Sequence, residues 1–134
     1  MIFESAVMDI AFSNCGKFCA TFYKLGKIVI FNTEQGDCRP VKNIDYDYPN
    51  SDFFSLDFSP CSSYLANISS NANTITIWET KNFSLRWIAD LTGDLIVKIK
   101  FAPNNKDLLA LTTTCKLRYL RIDPVNPEVD IVRD

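Results

Sequence analysis

Apolar and polar positions alternate along this chain in a block that returns three times. Each block reads as an apolar strand ending in Phe, a tight turn, a second apolar strand, another turn, and a third strand ending in a large apolar residue. The copies are VMDIAFSNCGKFCATFYKLGKIVIF (7–31), FFSLDFSPCSSYLANISSNANTITIW (53–78) and IVKIKFAPNNKDLLALTTTCKLRYL (96–120). Their leading strands end at Phe12, Phe58 and Phe101, so the period is 46 and then 43 residues. A period of this size marks an array whose units bury their faces against one another.

Within the leading strands, Met8, Ile10 and Phe12 share one face, as do Phe54, Leu56 and Phe58, and Val97, Ile99 and Phe101. The other face carries Asp9, Ser55 and Lys98, then Ala11, Asp57 and Lys100. A period of two is what a strand demands, because successive side chains point to opposite faces. The turns that follow, SNCGK, SPCSS and APNNK, hold residues that preset φ or tolerate positive φ. Cys19-Ala20, Leu65-Ala66 and Leu109-Ala110 align as equivalents in the second strand, a small residue there letting sheets approach. Third strands are predicted at 28–31, 75–78 and 117–122. Fourth strands are predicted at 38–44, 85–91 and, truncated, 129–132. The segment DYDYPNSD (45–52) reads as a loop broken by Pro49 and Asn50. Helical periodicity is not convincing anywhere.

Composition narrows this further. An apolar fraction of 47% in 134 residues supports a real core in one domain, and ten Phe, five Tyr and two Trp favour strands. The net charge is −2 with both signs interspersed, so no clustered basic face announces nucleic acid. The five cysteines are odd in number and form no CxxC pair, and the chain has no histidine to complete a zinc set. Thiols in a reducing compartment are the expectation, which places the chain inside the cell, in cytoplasm or nucleus. Cys15 and Cys61 share a turn position in successive blocks, at a separation where no disulfide is expected. The N-terminus lacks the basic start and apolar run of a secretory signal. No stretch reaches the ~20 apolar residues that span a bilayer. The N-x-S sequons at Asn67 and Asn82 are chance matches on this reading.

Four strands in a repeat of this length resemble the WD-repeat β-propeller family over nearly the whole chain. The resemblance is carried by Phe58-Ser59-Pro60, Phe101-Ala102-Pro103, Leu65-Ala66 and the Thr-Ile-Thr-Ile-Trp string at 74–78. Trp78 stands at the family's signature Trp, with Phe31 and Leu120 in its place in the other copies. Phe12, Phe31, Phe58, Trp78, Phe101 and Leu120 are therefore the expected structural anchors. The family's usual turn Asp falls at Leu25, Ala72 and Thr114, and its Gly-His pair is absent. All three units are expected to lack the family's buried polar network and to rely on apolar packing.

The resemblance implies an all-β fold of WD-type propeller blades, each of four antiparallel strands. Blade-like repeats fall at about 7–44, 53–91 and 96–132. Propellers close with about four to eight blades. Three form an incomplete ring whose open flanks expose Phe, Ile and Leu. The missing blades come from the remainder of a longer propeller, which the strand beginning after Pro124 favours, from a partner protein, or from a second copy of the chain.

No enzyme motif is present, neither a nucleophile elbow nor a phosphate-cradling Gly-rich loop. No cofactor or metal is called for. Phosphoinositide-binding propellers use an adjacent Arg pair, which this chain lacks, and no membrane insertion is expected. The expected function is a non-catalytic protein-interaction scaffold within an intracellular multiprotein complex. The alternative is an RNA-associated subunit of a ribonucleoprotein. Candidate partner-binding positions lie on the rim and loops that the fold implies: Lys24, Tyr46, Tyr48, Asp52, Phe53, Asn71, Asn73 and Asp94, with Ser5 and Cys115 beside them. Arg118 and Arg121, flanking Tyr119, read as solvated charges.

Overall fold

The computed structural model describes residues 6–34, 38–46, 53–69, 72–91, 94–104, 106–122 and 128–131, the last by backbone alone. Twelve strands form three sheets of four. The first holds β1 (Val7–Phe12), β2 (Phe18–Tyr23), β3 (Lys27–Asn32) and β4 (Arg39–Asp45). The second holds β5 (Leu56–Phe58), β6 (Tyr64–Ile68), β7 (Thr74–Glu79) and β8 (Ser84–Asp90). The third holds β9 (Ile96–Phe101), β10 (Asp107–Thr112), β11 (Leu117–Arg121) and β12 (Glu128–Ile131). Every sheet is an antiparallel meander, so each repeat is one blade, and β12 gives the third blade its fourth strand.

The turns repeat because their hydrogen bonds repeat. In blades 1 and 2 the Phe18 and Tyr64 N–H groups donate to Ser13 Oγ and Ser59 Oγ at 2.9 and 3.0 Å. Blade 3 has Ala102 there, and Asn104 Oδ1 takes over, accepting from the Asp107 N–H at 3.1 Å. Gly16 adopts φ +74°, and Ser62 holds the same place in blade 2 at φ +66°. Thr33 and Thr80 hydroxyls then clip the ends of β3 and β7 to the Gly16 and Ser62 carbonyls at 2.8 and 2.7 Å. The outer strand of blades 1 and 2 carries a bulge, opposite Ile30/Phe31 and Ile77/Trp78. Pro40 sits on the free outer strand, where no ladder partner needs its missing N–H.

The register corrects one alignment. Phe12, Phe58 and Phe101 pair with Cys19, Leu65 and Leu108. The third counterpart of Cys19-Ala20 and Leu65-Ala66 is therefore Leu108-Leu109, and Ala110 lies opposite Ile99. The Leu-Ala dipeptide of blade 3 lies one residue farther along its strand than that of blade 2, whereas the turn length is the same in all three blades.

The core lies between blades. Alternate residues of blade 1 that face blade 2, among them Ala20, Phe22, Ile28 and Ile30, are fully buried. Ala66, Ile68, Ile75 and Ile77 do the same between blades 2 and 3. Phe18 meets Phe83, and Phe22 meets Phe54, edge to face at 4.9 and 5.0 Å, locking blade 1 to blade 2. Such pairs add about 1 kcal/mol beyond their buried area. Phe58, Phe101 and Leu120 are buried anchors, and Phe31 and Trp78 are half-buried. Phe12 departs from the expectation: among the described residues no blade packs on its side of β1, and it is 65% exposed.

Candidate interaction surface

The innermost strands β1, β5 and β9 stand side by side, and side chains of one bond the backbone of the next. The Leu56 N–H donates to Asp9 Oδ2 at 2.7 Å. One blade on, the Ile99 N–H donates to Ser55 Oγ at 3.1 Å and the Phe101 N–H to Asp57 Oδ2 at 2.7 Å. Asp9 and Ser55 both lie three residues before their strand-ending Phe, so the bond belongs to the repeat. The first turns also touch: Asn14 Nδ2 donates to the Pro60 carbonyl at 2.9 Å and the Cys15 N–H to Ser62 Oγ at 3.1 Å. No disulfide joins any of the cysteines.

A groove of about 320 Å³ runs along these strands, lined by Asp9, Asp57, Lys98 and Lys100 with apolar neighbours such as Ile10 and Phe58. Lys100 Nζ lies 3.6 Å from Asp57 Oδ1. Burial nonetheless pushes the Asp57 carboxyl above its ordinary value, outweighing the Phe101 N–H and the Lys100 charge.

Polar groups enter the boundaries from the links between blades, which corrects the expectation of purely apolar packing. Asn67, fully buried on β6, accepts from Trp78 Nε1 at 2.7 Å and donates to the Tyr46 hydroxyl at 2.9 Å. Tyr46 in turn donates to Thr76 Oγ1 at 3.3 Å. Trp78 keeps a buried hydrogen-bond partner although the usual turn Asp is missing. The signal in the sequence was an Asn in the middle of an apolar strand, since a buried amide requires partners.

At the next boundary Asp94 performs the equivalent task, accepting from Thr114 Oγ1 at 2.9 Å and lying 3.6 Å from Arg118 Nη1. The Arg118 and Asp94 side chains are only 14% and 9% exposed, so Arg118 is a half-buried partner of Asp94 rather than a solvated charge. Arg121 also has a partner: its Nε lies 3.1 Å from Asp107 Oδ1, which also accepts from Tyr119 OH at 2.7 Å. Burial raises the Asp107 carboxyl, but Asn104, Tyr119 and Arg121 together hold it below its usual range. The same bond raises the Tyr119 phenol.

The remaining rim positions divide. Lys24 and Cys115 are exposed at turn tips, and Asn73 and Phe53 are half-buried. Tyr48, Asp52, Asn71 and Ser5 lie outside the described residues. The exposed apolar residues instead concentrate on a feature the anchors concealed: Met8, Ile10 and Phe12 on blade 1 are 40%, 52% and 65% exposed. Their equivalents Leu56, Phe58, Ile99 and Phe101 are buried against a preceding blade. Farther out on that flank Cys19 and Val29 are buried, while Pro40 and Asn43 on the outermost strand are exposed. On the opposite flank, Leu111 of blade 3 is 44% exposed.

No family model and no curated protein matches the sequence. Solved structures do match in shape. The β-propeller domain of Myceliophteria thermophila Cps50 (Swd1) superposes with a TM-score of 0.72 at 18% identity, over 96% of this chain and 40% of that one. The RRP9 WD40 repeats give 0.73 at 15% identity, over 92% and 36%. A putative 6-phosphogluconolactonase from Bacteroides fragilis gives 0.72 at 20% identity, over 92% and 37%. The chain spans well under half the length of each of these structures. Among the described residues, no helix is long and apolar enough to cross a membrane. With three meanders packed face to face and these likenesses in shape, the chain has a β-propeller fold similar to that of WD40 structures, three blades of an incomplete ring.

Proposed function

We propose that this chain is a non-catalytic interaction scaffold of an intracellular protein complex, its ring completed by blades outside the chain. The exposed row Met8, Ile10 and Phe12 carries the reading. A soluble protein rarely leaves a contiguous apolar strand uncovered unless something binds there. Completion by the rest of a longer polypeptide agrees with the fraction of the fold relatives that the chain spans. The non-catalytic reading is supported by the groove's two carboxylates, Asp9 and Asp57, each of which holds a backbone N–H of the next blade. The putative lactonase among the fold relatives shows why fold alone is not the argument.

Arg118, Arg121 and Lys100 each lie beside a carboxylate, so these three cations are compensated locally, which disfavours RNA association through them. Affinity capture from cells with the wild-type chain and with Ile10→Ser/Phe12→Ser tests the proposal. A protein recovered by the wild type and lost with the variant supports it. Equal recovery by both overturns it.

A further inference from the structure

The two flanks of the three-blade unit differ in chemistry, and the difference selects what docks on each. At both internal boundaries the outgoing blade presents acceptors on its first strand: Asp9 to Leu56, then Ser55 and Asp57 to Ile99 and Phe101. On the outgoing flank of blade 3 the same two positions are Lys98 and Lys100, both exposed. An ammonium donates and cannot accept. Farther out, blades 1 and 2 carry apolar Ile30 and Ile77 and the rings of Phe18 and Tyr64 on this face. Blade 3 has Asp107 with Tyr119, and Arg121 beside them with its side chain 55% exposed. Asp107 is engaged by Tyr119 and Arg121, and Asp57 by the Phe101 N–H with Lys100 Nζ 3.6 Å away, so the charged groups left exposed beside Leu111 on this flank are the cations Lys98, Lys100 and Arg121.

The inner strand of blade 1 offers these cations nothing. On the incoming face β1 presents Met8, Ile10 and Phe12, without a carboxylate; Asp45 shares that face but lies on the outermost strand, paired with Lys27, and Asp9 lies on the other face, bonded to Leu56. From this we infer that the outgoing flank of blade 3 takes a strand whose facing side chains include Asp or Glu opposite Lys98 and Lys100, and that a second copy of this chain is not its partner. The inference rests on the reading of the chain as part of a larger ring and adds the chemistry of the neighbour.

The chain itself serves as the probe, its mass followed by light scattering across a concentration and salt series. The wild type shows no head-to-tail dimer. Met8→Glu/Phe12→Glu places carboxylates on the incoming face at exposed positions and creates a dimer about tenfold tighter or more, weakened by salt. Adding Lys98→Glu/Lys100→Glu to that variant abolishes it. Circular dichroism checks folding, and Ile10→Glu is the substitute if the double variant is misfolded. A wild-type dimer as tight as the variant's, or a Glu variant that gains nothing, overturns the inference. Either result leaves the capture experiment standing, and a failed capture leaves the charge preference standing.

Discussion

Asn67 shows what one residue can decide. Its amide joins Trp78, Tyr46 and Thr76 across the boundary of blades 1 and 2 with no water-exposed surface of its own. Asn67→Ala strands the indole N–H and takes from the phenol the donor it accepts from, leaving its bond to Thr76, a loss of about 2–3 kcal/mol. Tyr46→Phe removes only the outer link and costs about 1 kcal/mol. Urea unfolding of the two variants checks the order. Backbone conformation gives a second pair of opposite sign. Gly16 sits at φ +74° with nothing near an added Cβ, so Gly16→Ala costs about 1 kcal/mol of pure conformational strain. Cys115 sits exposed at φ +61°, so Cys115→Gly gains a similar amount. Thermal melts of both variants test whether the signs are opposite.

At the scale of the element, most of the strands were legible because alternation and turn residues agree over each strand. What failed was register. Leu109-Ala110 resembles Leu65-Ala66 in letters, yet the equal turn length places Leu108 opposite Phe101. A one-residue slip moves a side chain to the other face, so local similarity misled where counting from the turn succeeds. The polar role of Arg118 was hidden for a related reason: its partner Asp94 arrives from the preceding link, which no strand pattern places.

The second and third blades also carry opposing proton linkages. Asp107 is held below its unfolded value, so its contribution is present above the ordinary carboxyl pKa of 3.8 and disappears as pH falls through the lower folded value. Asp57 is raised, so its burial penalty is present at neutral pH and is relieved as pH falls through its folded value, which lies above 3.8. Asp107→Asn removes the first effect alone, and its stability falls less steeply than the wild type's in acid below 3.8. In the same variant, absorbance titration shows Tyr119 ionising at lower pH, since the bond to Asp107 is what raises it.

The whole molecule explains why a repeat does not make its copies equivalent. Phe12, Phe58 and Phe101 end their strands alike and were all read as anchors, because each has the same neighbours along the chain. Their neighbours in space differ: Phe58 and Phe101 are 6% and 4% exposed, each buried with a blade before its own, whereas Phe12 has none and is 65% exposed. Strand pattern reports which face is apolar, not whether anything covers it. The same substitution therefore separates the three. Phe58→Ala and Phe101→Ala each remove a packed ring from a blade boundary and cost about 3–5 kcal/mol. Phe12→Ala changes the isolated chain's stability by about 0.5 kcal/mol or less, and lowers its binding of an apolar dye by removing exposed surface. When the preceding blade is supplied, by a longer polypeptide or a partner, Phe12 becomes as buried as the other two and its substitution becomes as costly. Denaturant melts of Phe12→Ala with and without that blade measure the change. An unchanged cost in the completed ring would show that the missing unit does not dock on β1.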